Sequence, residues 1–93
     1  MRWRLFATLA ETVGEGELVV SVDAEEPTVR EALNALLATH PELESAVIDE
    51  TGELHSHINL LYDGVDPFRE GAGWETTVET NAELALFPPM TGG

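Results

Sequence analysis

The sequence ends with ELALFPPMTGG, residues 83–93. Leu84 and Leu86 alternate with their neighbours, and this spacing predicts a β-strand whose two leucines face a core. By the same alternation, Phe87 lies on the outward face of the strand. We therefore expect a buried final strand that leads directly into a tail that does not pair with the sheet.

Pro88 and Pro89 follow this strand. Neither proline has a backbone N–H for a sheet ladder, and both confine their neighbours to extended geometry, so we expect pairing to stop while the chain continues straight. The tail beyond them reaches about 13 Å, at ~3.3 Å per residue. Because Gly92 and Gly93 lack a Cβ, this tail can enter a narrow channel and present an unhindered C-terminal carboxylate.

The composition is typical of one small domain. A chain of 93 residues with 43 % hydrophobic content can bury roughly two thirds of its unfolded surface around one core. We expect a folded domain over residues 1–89 and a flexible tail over residues 90–93.

No apolar run approaches the ~18 residues that span a bilayer, and no signal-peptide pattern is present, which predicts a cytoplasmic protein without membrane association. The absence of cysteine means that any sulfur chemistry must use sulfur supplied from elsewhere.

The charge is strongly acidic, with 18 acidic residues against 4 arginines, no lysine and a net charge of −14. Such a surface repels itself at low salt, whereas at molar salt the Debye length falls to ~3 Å and the repulsion is screened. This composition points to the cytosol of a halophile. It also disfavours nucleic acid as a partner, because nothing in the chain can neutralise a run of phosphates.

The first half of the chain predicts a hairpin and one main helix. Residues 2–8 alternate as a strand with Phe6 outward, residues 17–22 form a second strand that pairs with it in antiparallel fashion, and a helical turn lies between them. Thr28 and Glu31 form a capping box at the start of the helix. His40-Pro41 ends it. The apolar face at helical spacing consists of Val29, Ala32, Leu33, Leu36 and Leu37.

The second half predicts a short helix over residues 41–47 and a third strand closed by the turn Asp63-Gly64. In that strand Ile58, Leu60 and Tyr62 alternate with Asn59 and Leu61. Because both faces are apolar, the alternation does not decide which side is buried. Residues 65–73 predict an exposed loop before the final strand.

Two groups of side chains suggest a site. His55 and His57 share a face if their segment is a strand, which is conceivable as a metal site, although we favour a solvated segment because acidic residues occur throughout the chain. Phe6 and Phe87 both face outward, and Tyr62 joins them if the third strand packs beside theirs. An apolar patch on so acidic a surface is typical of a protein docking site; the alternative is that a loop covers the rings. We find no phosphate-binding glycine loop and no carboxylate placed for acid catalysis, so we predict neither a catalytic residue nor a cofactor.

The predicted ββαββ order and several segments resemble the β-grasp sulfur carriers and ubiquitin-like modifiers, and most of all the small archaeal modifier proteins of halophilic archaea, which are related to the small subunit of molybdopterin synthase. Two features depart from the family: Asn81-Ala82 stands where relatives commonly have Gly-Asp, and residues 65–73 look longer than usual. The segments that carry the resemblance are Leu5-Phe6-Ala7, Thr28-Val29 with Ala32-Leu33, His40-Pro41, Gly52-Glu53-Leu54, His57-Ile58-Asn59, and Glu83 to Pro89 with Gly92-Gly93.

The resemblance implies an α+β, β-grasp fold with a mixed sheet packed on one main helix. It also implies that the Gly93 carboxylate attacks the α-phosphate of ATP inside a separate E1-like activating enzyme and forms an acyl-adenylate. The activated carbonyl then takes up sulfur as a thiocarboxylate or passes to a target lysine as an isopeptide, so the chain is a substrate and not an enzyme. The candidate conjugation residues are Gly92 and Gly93, and the candidate partner-binding residues are Phe6, Tyr62, Phe87, Pro88 and Pro89.

Three hypotheses follow. The first is a protein modifier that doubles as a sulfur carrier. The second is the small subunit of molybdopterin synthase, in which the same tail enters the active site of the large subunit and donates sulfur. The third is an acidic interaction module whose Gly-Gly end is incidental, and deletion of Gly92-Gly93 separates it from the other two.

Overall fold

The computed structural model describes residues 1–88. In this part of the chain, four strands form one sheet in the order β2-β1-β4-β3. The central strands β1 and β4 are parallel, and each pairs with its outer neighbour in antiparallel fashion. The strands are β1 (Arg2–Leu5), β2 (Glu17–Val19), β3 (Asn59–Tyr62) and β4 (Glu83–Phe87).

The main helix, α2, packs across one face of this sheet. Its capping box forms as expected: the hydroxyl of Thr28 accepts a hydrogen bond from the backbone N–H of Glu31 at 3.2 Å, and the Glu31 carboxylate accepts one from the Thr28 N–H at 3.2 Å. His40 directly follows the last helical residue. The helices are α1 (Thr8–Val13), α2 (Val29–Thr39), α3 (Glu44–Val47) and α4 (Pro67–Glu70), with 3₁₀ turns at Pro41–Leu43 and Gly73–Glu75.

The core lies between α2 and the inner face of the sheet. Leu84 and Leu86 of β4 are both 0 % exposed, as their alternation predicts, and Trp3 of β1 is 0 % exposed beside them. These side chains meet the apolar face of α2, which is buried along its length. The opposite face of the sheet, called here the outer face, is not covered by α2. It is this face that presents the outward residues of β1 and β4.

Three local predictions were wrong. The first strand ends at Leu5 because the backbone turns at Ala7, whose φ is 51°, and α1 begins at the next residue. The second strand ends at Val19. The predicted exposed loop over residues 65–73 contains α4, which starts with the buried Pro67. The ends of these elements do not follow from the alternation of apolar and polar residues in the sequence.

No helix within residues 1–88 has both the length and the apolar character needed to cross a bilayer.

Candidate functional site

The outer face carries an aromatic pair next to the point where the described chain ends. The parallel register places Leu5 opposite Leu86, and the next residues, Phe6 and Phe87, stack with ring centroids 4.3 Å apart and planes 11° apart. Both rings are half-buried. The prediction that they face outward together is confirmed, and the alternative of a covering loop is not observed among residues 1–88.

Two arginine–glutamate ion pairs lie on the outer face near the stacked rings. The guanidinium of Arg4 lies 5.5 Å from the Phe6 ring centroid and donates a hydrogen bond to the Glu83 carboxylate at 3.3 Å. On the neighbouring strands, Arg2 and Glu17 form a second pair at 3.6 Å. Such exposed pairs stabilise a fold by only about 0–1 kcal/mol, so their main effect is on the local charge. A chain with a net charge of −14 thus presents a locally compensated apolar surface here.

A shallow concave surface of about 430 Å³ adjoins the rings on the β3 side. The register of β3 on β4 pairs Leu61 with Ala85, so both side chains point to the outer face and extend the apolar area. We call Phe6, Phe87, Leu61 and Ala85 the aromatic patch. The concave surface is lined by Arg4, Phe6, Leu61, Asp63, Gly64, Glu83, Ala85 and Phe87.

The structure places Tyr62 on the opposite face from the aromatic patch. It pairs with the buried Leu84, packs against the core, and its hydroxyl accepts a hydrogen bond from the backbone N–H of Glu79 at 3.2 Å. The expectation that Tyr62 joins Phe6 and Phe87 on one face was therefore wrong. Leu61 occupies that place instead, and sequence reasoning missed it because only the pairing of β3 with β4 distinguishes the two apolar faces.

The described part of the chain ends beside the aromatic patch. Phe87 is the last residue of β4, and the buried Pro88 follows it directly. Pro89 and the predicted conjugation residues Gly92 and Gly93 lie outside the described residues. The structure therefore places the last described residue, Pro88, directly after the aromatic patch.

The two histidines form a small stack away from this patch. The rings of His55 and His57 have centroids 5.7 Å apart and planes 15° apart, and the Nε2–H of His55 donates a hydrogen bond to the Ser45 carbonyl at 3.1 Å. Across residues 1–88 no group of three or more histidine or acidic side chains is arranged to hold a metal ion. This geometry anchors the segment that leads into β3.

The acidic turn beside these histidines is also structural. The carboxylate of Asp49 accepts hydrogen bonds from the hydroxyl and backbone N–H of Thr51 and from the N–H of Glu53, at 2.6, 2.8 and 3.1 Å. The Thr51 hydroxyl and N–H bonds are the main reasons that the pKa of Asp49 lies below its ordinary value. Hydrogen bonds, first of all to its own backbone N–H, likewise lower the pKa of Glu42. Lowered carboxyl pKa values are the reverse of what a general acid requires.

Trp74 anchors the segment that contains α4. Its indole N–H donates a hydrogen bond to the Glu53 carboxylate at 2.8 Å, and the Arg30 guanidinium lies 4.8 Å from its ring centroid. Phe68 meets the ring edge-on at 5.1 Å. These three contacts hold the Trp74 ring in place between α2, Glu53 and α4.

A mixed four-stranded sheet in the order β2-β1-β4-β3, packed on one main helix, defines a β-grasp protein. The ThiS family model matches residues 3–93, and the chain belongs to this family. It is 46 % identical over 93 residues, the full length of both chains, to small archaeal modifier protein 1 of Haloferax volcanii.

Solved structures agree with this assignment. A crystal structure of SAMP1 from Haloferax volcanii has a TM-score of 0.87 at 45 % identity, covering 100 % of this chain and 98 % of that one. The solution structure of small archaeal modifier protein 1 from Methanosarcina acetivorans has a TM-score of 0.78 at 32 % identity, covering 99 % and 94 %. The predicted resemblance is confirmed over the whole chain, and a relative in a halophilic archaeon accords with the acidic composition.

Proposed function

We propose that this chain is a ubiquitin-like protein modifier whose Gly93 carboxylate is activated and joined to target lysines, and that it also carries sulfur on the same carboxylate. The observation that supports this most is full-length similarity to a small archaeal modifier protein, combined with a sequence in which β4 leads through two prolines into Gly-Gly. The aromatic patch includes Phe87, the last residue of β4, and so lies next to the first of these prolines.

The chemistry requires activation of a poor acyl donor. A carboxylate oxygen of Gly93 attacks the α-phosphorus of ATP, pyrophosphate leaves, and an acyl-adenylate results. A lysine amine then attacks the carbonyl carbon, AMP leaves, and loss of a proton yields the isopeptide. Attack by hydrosulfide on the same carbonyl carbon displaces AMP and, after loss of a proton, yields a thiocarboxylate instead. We assign these steps to a separate ATP-dependent enzyme in the cytoplasm, for which this chain is the substrate.

We assign recognition by the activating enzyme to the aromatic patch. Phe6 and Phe87 offer a stacked, half-exposed apolar surface, and the pairing of Arg4 with Glu83 compensates one of the two negative charges beside it. Apolar contacts keep their strength at high salt, whereas attraction between exposed charges is screened. Pro88, and Pro89 beyond it, would hold the start of the tail straight towards the active site of that enzyme.

Mass spectrometry of the modified lysines tests this proposal. Glu83 is the last glutamate of the sequence, so a protease that cleaves after glutamate leaves residues 84–93 on every modified lysine. In a deletion strain complemented with the native chain, we expect this remnant on lysines of other proteins. The matched control is the same chain without Gly92-Gly93, which should leave none.

Two results would redirect the assignment. If the remnant is absent from the complemented strain, and the deletion strain has lost molybdoenzyme activity that the native chain restores, the small subunit of molybdopterin synthase is favoured. Full biological activity of the chain without Gly92-Gly93 would favour the interaction module and contradict both forms of the proposed chemistry.

A further inference from the structure

The chain contains no side-chain amine. Its 4 basic residues are all arginines, at positions 2, 4, 30 and 69. A guanidinium stays protonated in proteins and has no free electron pair on nitrogen for attack on an acyl group. Whatever this chain is attached to, its own side chains therefore cannot form an isopeptide with a second copy.

The amine of Met1 is engaged in the sheet. It donates a hydrogen bond to the Val20 carbonyl at 3.1 Å, and the Val20 N–H donates one back to the Met1 carbonyl at 2.8 Å. These two bonds extend the β1–β2 ladder by one residue pair. Val20 is 4 % exposed, and Met1 packs against the core. Because Met1 is partly buried and its amine is held against β2, the approach of an acyl group to this amine is hindered.

We propose that this chain is a terminal modifier: a copy attached to a target does not accept another copy, so conjugates carry single units. The inference rests on the proposed function. Isopeptide formation joins a carbonyl carbon to an amine nitrogen while the bond to AMP breaks and the amine loses a proton. This chain supplies the carbonyl, its side chains offer no amine, and the amine of Met1 is hindered. Several bands on one target then mean several modified lysines.

The test maps the attachment sites on conjugates of the native, untagged chain. After cleavage at glutamate, we expect residues 84–93 on lysine peptides of other proteins and on no peptide of this chain. A remnant on the N-terminal peptide, residues 1–11, would overturn the proposal. So would a linkage between two copies through a hydroxyl group, which hydroxylamine would cleave as an ester. Absence of any remnant on any protein would instead count against the proposed function.

Arg69→Lys provides a gain-of-function variant. The Arg69 side chain is 84 % exposed and only loosely paired with Asp66, at 3.7 Å, so the replacement adds an accessible amine without touching the core or the aromatic patch. We expect chains linked through position 69 to appear, visible as a ladder of bands. Normal conjugation of this variant without any chains would show that a missing amine is not what limits chain growth, and would overturn the proposed cause.

A short Gly-Ser extension before Met1 tests the second part of the argument. It places an amine outside the β1–β2 ladder while the Val20 pair is retained. We expect linkage through this new amine in the extended chain and not in the native one. Equal absence of linkage in both chains would show that the hydrogen bond to Val20 is not the reason that the N-terminus is spared.

Discussion

Replacement of Phe87 by alanine removes one ring of the aromatic patch and is the sharpest test of the docking surface. The ring is half-buried against Phe6 at a centroid distance of 4.3 Å. Truncation of a fully buried phenylalanine costs about 3–5 kcal/mol, so the half-buried ring at this position should cost roughly 2 kcal/mol of unfolding free energy. A domain of this size has ~5–15 kcal/mol in total, so the variant should remain folded. At ~4–8 °C per kcal/mol, the melting temperature should fall by roughly 8–16 °C.

The expected loss of binding free energy is at least as large as the loss of unfolding free energy. Loss of an aromatic anchor at an interface commonly costs ~2 kcal/mol or more, which corresponds to an affinity for the activating enzyme about 30-fold weaker. Titration calorimetry with that enzyme in molar KCl, at a temperature well below both melting points, measures this directly. The fraction folded is followed by circular dichroism in the same buffer.

Two matched variants serve as controls: one removes an exposed apolar side chain outside the aromatic patch, and the other lowers the stability of the fold. Val19 is apolar, 80 % exposed and on the same outer face at its far edge, so Val19→Ala should leave the affinity unchanged. Leu86→Ala removes a side chain that is 0 % exposed and should cost ~2–5 kcal/mol of stability without altering the affinity of the folded fraction. If Phe87→Ala binds as tightly as the native chain, the assignment of the aromatic patch to docking is refuted.

The remaining predictions concern stability. The net charge of −14 should make the melting temperature rise from low to molar KCl, because salt screens self-repulsion; a flat or falling midpoint would contradict this. Thr28→Ala removes the hydroxyl of the capping box and should cost ~1 kcal/mol by chemical denaturation, whereas Thr28→Ser should restore most of it. Hydrogen bonds from Thr51 hold the pKa of Asp49 below its ordinary 3.8, so the stability they provide is present above that pH and is lost as the pH falls through the lowered value. Asp49→Asn should therefore be less stable than the native chain at neutral pH, with the difference shrinking below pH 3.8; a constant difference across that range would contradict the assignment.

The sequence alone determined the elements whose signals are local and periodic. The capping box at Thr28 and the helical spacing behind it specify α2, because both depend on residues within a few positions of one another. The alternation of Leu84 and Leu86 specifies the inner face of β4, since a strand places successive side chains on opposite faces. The acidic composition and the strand-Pro-Pro-x-x-Gly-Gly ending belong to the sequence as well, and together with the predicted ββαββ order and the matching segments along the chain they predicted the family.

The tertiary structure decided how distant segments meet. Residues 59–62 are apolar on both faces, so only the register of β3 on β4 shows that Leu61 faces outward and Tyr62 inward. The stacking of Phe6 on Phe87 and the pairing of Arg4 with Glu83 arise from the parallel pairing of β1 with β4, which lie at opposite ends of the chain. Alternation within one strand shows which of its side chains share a face of the sheet. It carries no information about which strand lies beside it or in what register, and the aromatic patch and the ion pair beside it follow from that pairing.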